Sequence, residues 1–379
     1  MDRQYRPFFK LWIVALLAGG CTRSAAGPAP FLAPQPVPVT VSASLSAEPL
    51  GAVRPPPYLP GPLNGERVSR SSALRRPIAV IVDNYSPDAR PQSGLSDASM
   101  VIETLVEGGI TRLMALYLEN DPTRVGPVRS SRVYFDRWAA AFHSTLLHVG
   151  GNDDAQDLLW HLPAVFNIDE GPLPTGVTAG ADDPYWLRQD RDPPYSVYVN
   201  VATARALVEH RHQNWAYANA SIRHKRRAAA SERGRSGSLT ISFVDPLYFQ
   251  FPPLPDYVVR YDFDPASDTY LRSVGGAPHV DAVTKKPLRA ANIIVMRTGP
   301  GAADPQAGLT LYSISVPTIG AGPAWFFRDG TVLRGTWQQK DQFAPLRFFD
   351  RHGREVAFNP GQTWVEVLPQ YSEATWTFR

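Results

Sequence analysis

Four arginines lie in or beside short polar loops in the first half of the chain, and their guanidinium groups could together bind an anion. Guanidinium binds carboxylate or phosphate through two parallel hydrogen bonds. A serine among them precedes an amphipathic stretch that predicts a helix over 133–143, and helix N-termini also attract anions. The candidate ligand-binding residues of this group are Arg90, Arg112, Arg129, Ser130 and Arg132. The alternative is that these arginines pair internally with acidic residues.

Two glutamates, Glu103 and Glu107, could perform general acid/base chemistry in a shared pocket. Apolar, β-rich runs lie on both sides of Gly108-Gly109, a pattern typical of a hairpin with a two-residue turn. Such a turn pairs Leu105 with Arg112 and places Glu103, Glu107 and Arg112 on one face of the sheet. The three side chains would then form either the polar floor of a ligand pocket or a structural ion pair.

A buried strand predicted over 77–82 ends in Asp83 and Asn84, and the polar loop that follows contains Gln92. Ligands of open α/β sheets bind at the carboxyl ends of the strands. Asp83, Asn84 and Gln92 are therefore candidate ligand-binding residues as well. The alternative is that Asp83 and Asn84 only cap the turn after the strand.

Two histidine-containing groups could also do chemistry, but their patterns favour structural roles. His148 and the acidic segment 152–154 lack the ligand spacing of a metal site. His279 and Asp281 could transfer a proton, although a local hydrogen bond is the commoner role of such a pair. The sequence therefore predicts no metal and no cofactor, and it assigns no catalytic residue.

Large aromatic side chains in the last part of the chain could form a platform for sugars. Core packing is their commoner role in small β structures. They are Trp325, Phe326, Phe327, Trp337, Phe348, Phe349 and Trp364.

The first 21 residues have the order of a bacterial lipoprotein signal peptide: a basic start, an apolar run and small residues before Cys21. The apolar run is shorter than the roughly 20 residues that cross a bilayer. Cys21, the only cysteine, is predicted to carry diacylglycerol and a further acyl chain such as palmitate, which would anchor the protein to a membrane. The alternative is an ordinary secretory signal.

Composition divides the rest of the chain into a tether and two domains. Residues 22–75 are rich in Pro, Ala and Ser, which predicts a disordered spacer. Domains are expected at 76–222 and 237–370, with the boundary in the basic stretch 223–238. A formal net charge of +3 over 379 residues argues against nucleic acid as the main partner.

The pattern of apolar runs predicts a two-domain α+β protein, in which a mixed α/β N-terminal domain precedes a smaller, mostly-β C-terminal domain. In the first domain, strands alternate with the helix predicted over 133–143. In the second, short strand-like runs are separated by Gly and Pro turns. These runs are 238–243, 257–263, 292–296, 309–315, 324–327 and 363–367.

Nine short segments, spread from about residue 76 to residue 369, resemble the YerB-like family of bacterial lipoproteins. They are Val80–Asn84, Ala89–Leu95, Val106–Arg112, Gly126–Ser130, Tyr270–Arg272, His279–Asp281, Asn292–Val295, Gly335–Trp337 and Pro360–Trp364. The resemblance implies a lipid-anchored envelope protein with an N-terminal α/β domain and a smaller C-terminal domain. It implies no particular reaction.

The leading hypothesis is a non-enzymatic envelope lipoprotein that binds an anionic ligand, or a cell-wall or protein partner, through an arginine-lined pocket in the N-terminal domain. One alternative is a hydrolase or transferase that acts on envelope polymers, with Glu103 or Glu107 as the acid/base. A second alternative is an assembly factor for other membrane proteins.

Overall fold

The central strands are continuous apolar runs because both of their faces are covered. The computed structural model describes residues 57–170, 183–188, 190–213, 222–245, 252–299 and 314–378. Within these ranges, every residue of the strands Ile78–Asp83, Met100–Leu105 and Thr111–Tyr117 is buried. A strand with two covered faces reads as an unbroken hydrophobic stretch rather than an alternating one.

Strands and helices follow one another in this order. They are β1 (Tyr58–Pro60), β2 (Arg67–Ser69), α1 (Arg70–Ala73), β3 (Ile78–Asp83), β4 (Met100–Leu105), β5 (Thr111–Tyr117), α2 (Val133–Ala141), β6 (Thr145–His148), α3 (Asp153–Trp160), β7 (Phe166–Asp169), β8 (Tyr185–Leu187), β9 (Val197–Val199), α4 (Val201–His210), β10 (Gly237–Ser242), β11 (Val259–Asp264), β12 (Thr269–Val274), β13 (Ala277–Pro278), β14 (Arg289–Ala290), β15 (Asn292–Arg297), β16 (Gly320–Arg328), β17 (Thr331–Gln339), β18 (Arg347–Asp350), β19 (Thr363–Leu368) and β20 (Glu373–Phe378).

A ten-stranded mixed sheet joins the two halves of the chain. Its strand order is β18-β17-β16-β15-β19-β4-β5-β3-β6-β7. The junction is between β19 and β4, which run parallel and pair from Thr363 with Met100 to Glu366 with Glu103. The expected two-domain α+β architecture with a mostly-β C-terminal part is confirmed, and its two parts share backbone hydrogen bonds.

A six-stranded antiparallel sheet covers one face of the large sheet. Its order is β13-β12-β11-β10-β20, and β14 also pairs with β12. Buried residues alternate with half-exposed or exposed ones along β11 and β12, as expected for strands with one covered face. The ring of Tyr261 on β11 meets that of Trp364 on β19 edge-on, with centroids 6.4 Å apart. Side chains at inward positions of β11 and β12 therefore reach the large sheet.

Helix α2 packs through its aromatic residues, as the sequence predicted. Phe135 and Trp138 are fully buried, and Tyr134 donates a hydrogen bond to the carbonyl oxygen of Leu105 at 2.7 Å. The helix ends at Ala141, two residues before the predicted end. In the part of the chain that the structure describes, no helix has the length and apolar character needed to cross a membrane.

The end of the predicted tether is folded. Residues 57–75 form β1, β2 and α1. Leu63 is fully buried, and its backbone N–H, like that of Asn64, donates to the carboxylate of Glu119. Ala73 is also buried, and Arg75 forms an ion pair with Asp121 at 2.7 Å, so several contacts hold this segment on the body. The rest of the tether and the signal peptide lie outside the described residues.

The predicted boundary stretch is also packed against the body. Lys225 forms an ion pair with Asp329 at 3.0 Å, and its N–H donates to the carbonyl oxygen of Phe358. The strand predicted at 309–315 falls mainly outside the described residues. The remaining predicted strands of the C-terminal part are present, at β10, β11, β15, β16 and β19.

Because β19 lies between β15 and β4, a cavity in β19 should weaken both halves of the chain together. Val365 is fully buried and pairs with Ile294 on one side and Ile102 on the other. We expect Val365→Ala to lower the free energy of unfolding by about 2 kcal/mol. Hydrogen exchange should accelerate in β4 as well as in β15. Val283→Ala, at an exposed valine, is the matched control. Unchanged exchange in β4 would contradict the shared sheet.

Candidate functional site

Three of the predicted arginines converge where β3 ends and β5 begins. Asp83, the last residue of β3, pairs with Arg112 of β5 in the antiparallel register. The loop before α2 is bound to this end of β3, because Asp83 N–H donates to Pro127 O at 2.8 Å and Arg129 N–H donates to Ile81 O at 2.9 Å. These backbone bonds bring the loop arginines to Arg112. We call Arg112, Arg129 and Arg132 the arginine cluster.

Two members of the arginine cluster form ion pairs. Arg129 Nε lies 2.8 Å from Asp83 Oδ2. Arg132 binds both carboxylate oxygens of Glu107, with Nε at 2.9 and 3.0 Å and Nη2 at 2.6 Å. Burial alone would raise the pKa of Glu107, but the hydrogen bonds and charge of Arg132 outweigh it and hold that pKa below its ordinary value. Glu107 is therefore ionised at neutral pH.

Arg112, the third member, has no such partner within the described residues. Its Nη1 donates to the carbonyl oxygen of Ser130 at 2.9 Å, and its Nε is buried without a hydrogen bond. Burial, and then the charge of Arg132, lower the pKa of Arg112 to about 10, and the charge of Asp83 opposes this shift. Three guanidinium groups thus face two carboxylates, and one buried positive charge lacks an ion-pair partner.

The predicted hairpin exists, but its register is different. Residues Glu107–Gly109 form a 3-10 turn in which both glycines have positive φ, and Leu105 pairs with Thr111 rather than with Arg112. A slip of one residue moves every side chain to the other face. The prediction that Glu103 and Arg112 share a face is therefore wrong. Arg112 faces the loop before α2, whereas Glu103 faces the six-stranded sheet.

Glu103 belongs to a second group, which is fully buried between the two sheets. The guanidinium of Arg272, on β12, lies between the carboxylates of Glu103 and Glu366. Its Nη2 contacts Glu103 Oε2, while its Nη1 lies 3.0 Å from Glu366 Oε1 and 2.6 Å from Tyr261 OH. The centre of the guanidinium lies 4.1 Å from the ring centroid of Trp364. We call this group the buried acid pair, after Glu103 and Glu366.

Glu366 retains a proton at neutral pH. Burial, and then the charge of Glu103, which lies directly opposite on the neighbouring strand, raise the pKa of Glu366 to about 8. The charge of Arg272 lowers the pKa of Glu366, but Arg272 also pairs with Glu103. Tyr261 OH donates to Glu366 Oε1 at 2.5 Å. Two carboxyl groups around one guanidinium therefore carry one negative charge and one proton.

A directed chain of hydrogen bonds leads from Arg272 back to Glu103. Arg272 Nε donates to His279 Nδ1 at 3.0 Å, and because guanidinium only donates, the ring proton lies on Nε2. His279 Nε2 then donates to Gln92 Oε1 at 2.8 Å, and Gln92 Nε2 donates to Asn84 Oδ1 at 2.8 Å. Burial and Arg272 lower the pKa of His279 well below its usual value, so this imidazole is neutral.

Asn84 completes this chain of hydrogen bonds. Its Nδ2 donates to Thr111 Oγ1 at 2.7 Å, and Thr111 donates to Glu103 Oε1 at 2.6 Å. Arg90 binds Asn84 Oδ1 through Nε at 2.9 Å and the carbonyl oxygen of Asp256 through Nη1 at 2.7 Å. Every donor of the Asn84 amide is used inside the protein.

The ten predicted site residues therefore divide into two groups. Asp83, Glu107, Arg112, Arg129, Ser130 and Arg132 lie in or beside the arginine cluster. Asn84, Arg90, Gln92 and Glu103 belong to the buried network. The division follows from the alternation of side chains, since Asp83 and Asn84 are consecutive at the end of β3.

Sequence reasoning missed the C-terminal members of the buried network, Tyr261, Arg272 and Glu366. Two of them could have been found from the sequence, because they are charged residues at buried positions of strands. Arg272 lies at an inward position of β12, between buried Tyr270 and Val274, and Glu366 interrupts an apolar strand. A charged residue at a buried position needs a partner of opposite charge. Such residues can be sought in pairs even where they are far apart in sequence.

The other histidine candidates have structural contacts. The ring nitrogens of His148 lie 2.7 Å from Gly150 O and 2.7 Å from Asn167 Oδ1. The predicted pairing of His279 with Asp281 is wrong. Asp281 accepts hydrogen bonds from Ser96 and from the backbone of its own turn, whereas His279 contacts Arg272 and Gln92.

The C-terminal aromatic residues mostly pack in the core, which was their commoner expected role. The fully buried ones are Phe326, Phe327, Trp337 and Trp364, and Phe348 is nearly so. Trp325 and Phe349 are half-buried. Core packing leaves little of this group for a sugar platform.

The buried acid pair should make stability fall as pH rises. The folded protein holds a proton on Glu366 between its ordinary pKa of 4.5 and about 8, while the unfolded chain releases it. The free energy of unfolding should therefore decrease through this window by up to about 1.4 kcal/mol per pH unit and level off above it. Glu366→Gln should flatten this dependence, as measured by urea denaturation from pH 5 to 9. Glu355→Gln, whose wild-type carboxylate pairs with Arg347 near the surface, is the control and should follow the wild type. Equal slopes in all three proteins would show that Glu366 carries no extra proton.

Comparisons with known proteins agree with the architecture. The family model described as "Protein of unknown function (DUF3048) N-terminal domain" matches residues 63–214, and its C-terminal counterpart matches residues 250–365. The protein "Putative lipoprotein YerB" of Bacillus subtilis (strain 168) is 28% identical over 338 residues, which are 84% of this chain and 88% of the relative. The crystal structure of the YerB protein from Bacillus subtilis matches with a TM-score of 0.68 and 25% identity, covering 84% of this chain and 99% of that one.

These matches span both halves of the chain and include most of the residues described above. The arginine cluster lies within the N-terminal family domain, and the buried network joins that domain to the C-terminal one. The chain belongs to the YerB-like family of unknown function and contains both the N-terminal and the C-terminal DUF3048 domain.

Proposed function

We propose that this protein is a lipid-anchored lipoprotein of the cell envelope that binds an anionic ligand at the arginine cluster. The relative from Bacillus subtilis is named as a lipoprotein, and the sequence up to Cys21 has the pattern of a lipoprotein signal. Cys21 lies outside the described residues. The binding function rests on the geometry of the cluster.

The observation that carries the proposal is the buried charge of Arg112, which has no ion-pair partner among the described residues. Burying a guanidinium without an ion-pair partner costs free energy, and proteins usually place a carboxylate beside it. Asp83, directly opposite Arg112, already accepts from Arg129 Nε and from the backbone N–H of Tyr85. An oxygen of an anionic ligand beside Arg112 would supply the missing partner.

The neighbours of Arg112 are more exposed to solvent than Arg112 itself. The Arg112 residue is 5% exposed, but the side chains of Arg129 and Arg132 are 29% and 15% exposed. Ser130, half-buried between them, offers a hydroxyl. A carboxylate or phosphate that reaches Arg112 would also meet the outer guanidinium nitrogens of its two neighbours.

The acid/base alternative has weaker support from the same geometry. Glu103 is fully buried and hydrogen-bonded to Thr111 and Arg272, so its carboxylate does not meet a substrate. Glu107 is accessible, but its ion pair with Arg132 lowers its pKa and leaves no proton to donate at neutral pH. Anion binding at the arginine cluster requires no proton transfer.

Replacing Arg112 should abolish anion binding without weakening the fold. Because its charge is buried and lacks an ion-pair partner, we expect Arg112→Met to leave the melting temperature unchanged or higher. Inorganic phosphate or pyrophosphate should raise the melting temperature of the full wild-type chain in detergent but not that of the variant. An anion present at a hundred times its Kd raises the free energy of unfolding by about 2.7 kcal/mol.

A buried, fully paired arginine provides the control. Arg205 binds Asp121 at 2.7 Å and two carbonyl oxygens, so Arg205→Met should destabilise the protein by about 2 kcal/mol through the lost hydrogen bonds and keep the anion response. If Arg112→Met destabilised the protein as much as Arg205→Met does, and no anion raised the melting temperature of the wild type, the arginine cluster would be structural.

The anchor has its own test. Cys21→Ser should abolish incorporation of radiolabelled palmitate and move the protein from the membrane fraction to the soluble fraction, because the thiol that accepts the lipid is gone. Thr22→Ser is the neighbouring control and should remain in the membrane fraction. Membrane retention of Cys21→Ser would contradict lipid anchoring through this residue.

A further inference from the structure

Two tyrosines lie beside the arginine cluster and stack on each other. The ring centroids of Tyr85 and Tyr195 are 5.8 Å apart, and their planes differ by 16°. Tyr85 is 39% exposed, and Tyr195 is half-buried. The guanidinium of Arg129 lies 5.9 Å from the centroid of Tyr195. An aromatic surface therefore continues directly from the cationic one.

Asp83 fixes the two surfaces relative to each other. Its Oδ1 accepts from Tyr85 N–H at 3.1 Å, and its Oδ2 accepts from Arg129 Nε at 2.8 Å. The segment that carries Tyr195 is tied to the arginine loop as well, since Val128 N–H donates to Val197 O at 2.8 Å. Surfaces positioned in advance lose little conformational entropy on binding.

We propose that the ligand of the arginine cluster is an anionic glycan. Its carboxylate or phosphate binds the arginine cluster, and an adjoining sugar ring packs on the Tyr85–Tyr195 pair. This inference rests on the proposed anion-binding function and deepens it by naming the class of ligand.

The chemistry of the surface matches a sugar better than a bare anion or an acidic peptide. A sugar ring presents an apolar C–H face and hydroxyl groups, and a tyrosine presents a flat apolar ring and one phenolic hydroxyl. Tyrosine also supplies contact area at low entropic cost, because it has only two side-chain torsions. A simple anion would use the guanidinium groups and gain nothing from the two rings.

The test compares ligands that share the anion but differ in the sugar. Calorimetric titration of the full chain in detergent would use inorganic phosphate, trigalacturonate, maltose phosphate, neutral maltotriose and triglutamate. We expect at least one of the two anionic sugars to bind about tenfold more tightly than phosphate and triglutamate. Maltotriose, which has no charge, should bind more weakly than all of these anions. Tyr85→Ala should lose about this tenfold for the anionic sugar and leave phosphate affinity unchanged.

Tyr58→Ala is the matched control. Tyr58 is 52% exposed on β1, whose segment is held by Glu119 at the opposite end of β5 from Arg112. Wild-type affinity is expected for this variant with every probe.

The outcomes separate this inference from the proposed function. Equal affinities for phosphate and both anionic sugars, or no loss in Tyr85→Ala while Arg112→Met abolishes binding, would overturn the glycan and keep the anion site. Tighter binding of triglutamate than of either sugar would do the same in favour of an acidic peptide. Binding of none of the anionic probes would overturn both proposals.

Discussion

The guanidinium of Arg272 holds together three strands that lie far apart in the sequence. The parallel register of β19 with β4 places Glu366 directly opposite Glu103, and both side chains are fully buried. Two carboxylates at that spacing repel each other unless a cation or a proton intervenes. Arg272 supplies the cation from β12, and Glu366 keeps the proton. Arg272 therefore links the six-stranded sheet to both strands at the junction of the large sheet.

The same network reaches the candidate site through covalent neighbours. Arg272 orients His279, which orients Gln92 and then Asn84. Asn84 follows Asp83 in the chain. The hydrogen bonds that fix the Asn84 side chain in the buried network therefore also fix the backbone that carries Asp83. Asp83 in turn positions Arg129. The arginine cluster thus depends on C-terminal residues that it does not contact.

A buried ion network of this kind contributes more to specificity than to stability. Well-packed apolar residues of the same volume are often as stabilising as a buried ion pair. An alternative register between β19 and β4 would, however, separate Glu366 from Arg272 and leave a charge buried without a partner. We infer that the acids and Arg272 favour the observed pairing of β19 with β4 over other registers.

Local sequence patterns sufficed for elements whose signal is local. The apolar run of β3 and the aromatic face of α2 were predicted because their periodicity is complete within a few residues. The register of the hairpin at Gly108 was not, since two glycines fit a two-residue turn and a 3-10 turn equally well, and only the fold chooses. The pairing of Glu103 with Arg272 and Glu366 spans most of the chain, so no local pattern contains it.

In the arginine cluster, the surrounding contacts hold the guanidinium of Arg112 in a buried position that costs free energy. Arg112 lies opposite Asp83, the arrangement that would normally neutralise it, but both oxygens of Asp83 are committed to Tyr85 N–H and Arg129. Moving the Asp83 carboxylate toward Arg112 would break both of these contacts. The contacts of Asp83 therefore keep the charge of Arg112 without an ion-pair partner among the described residues, a local cost of the kind that often occurs at functional sites.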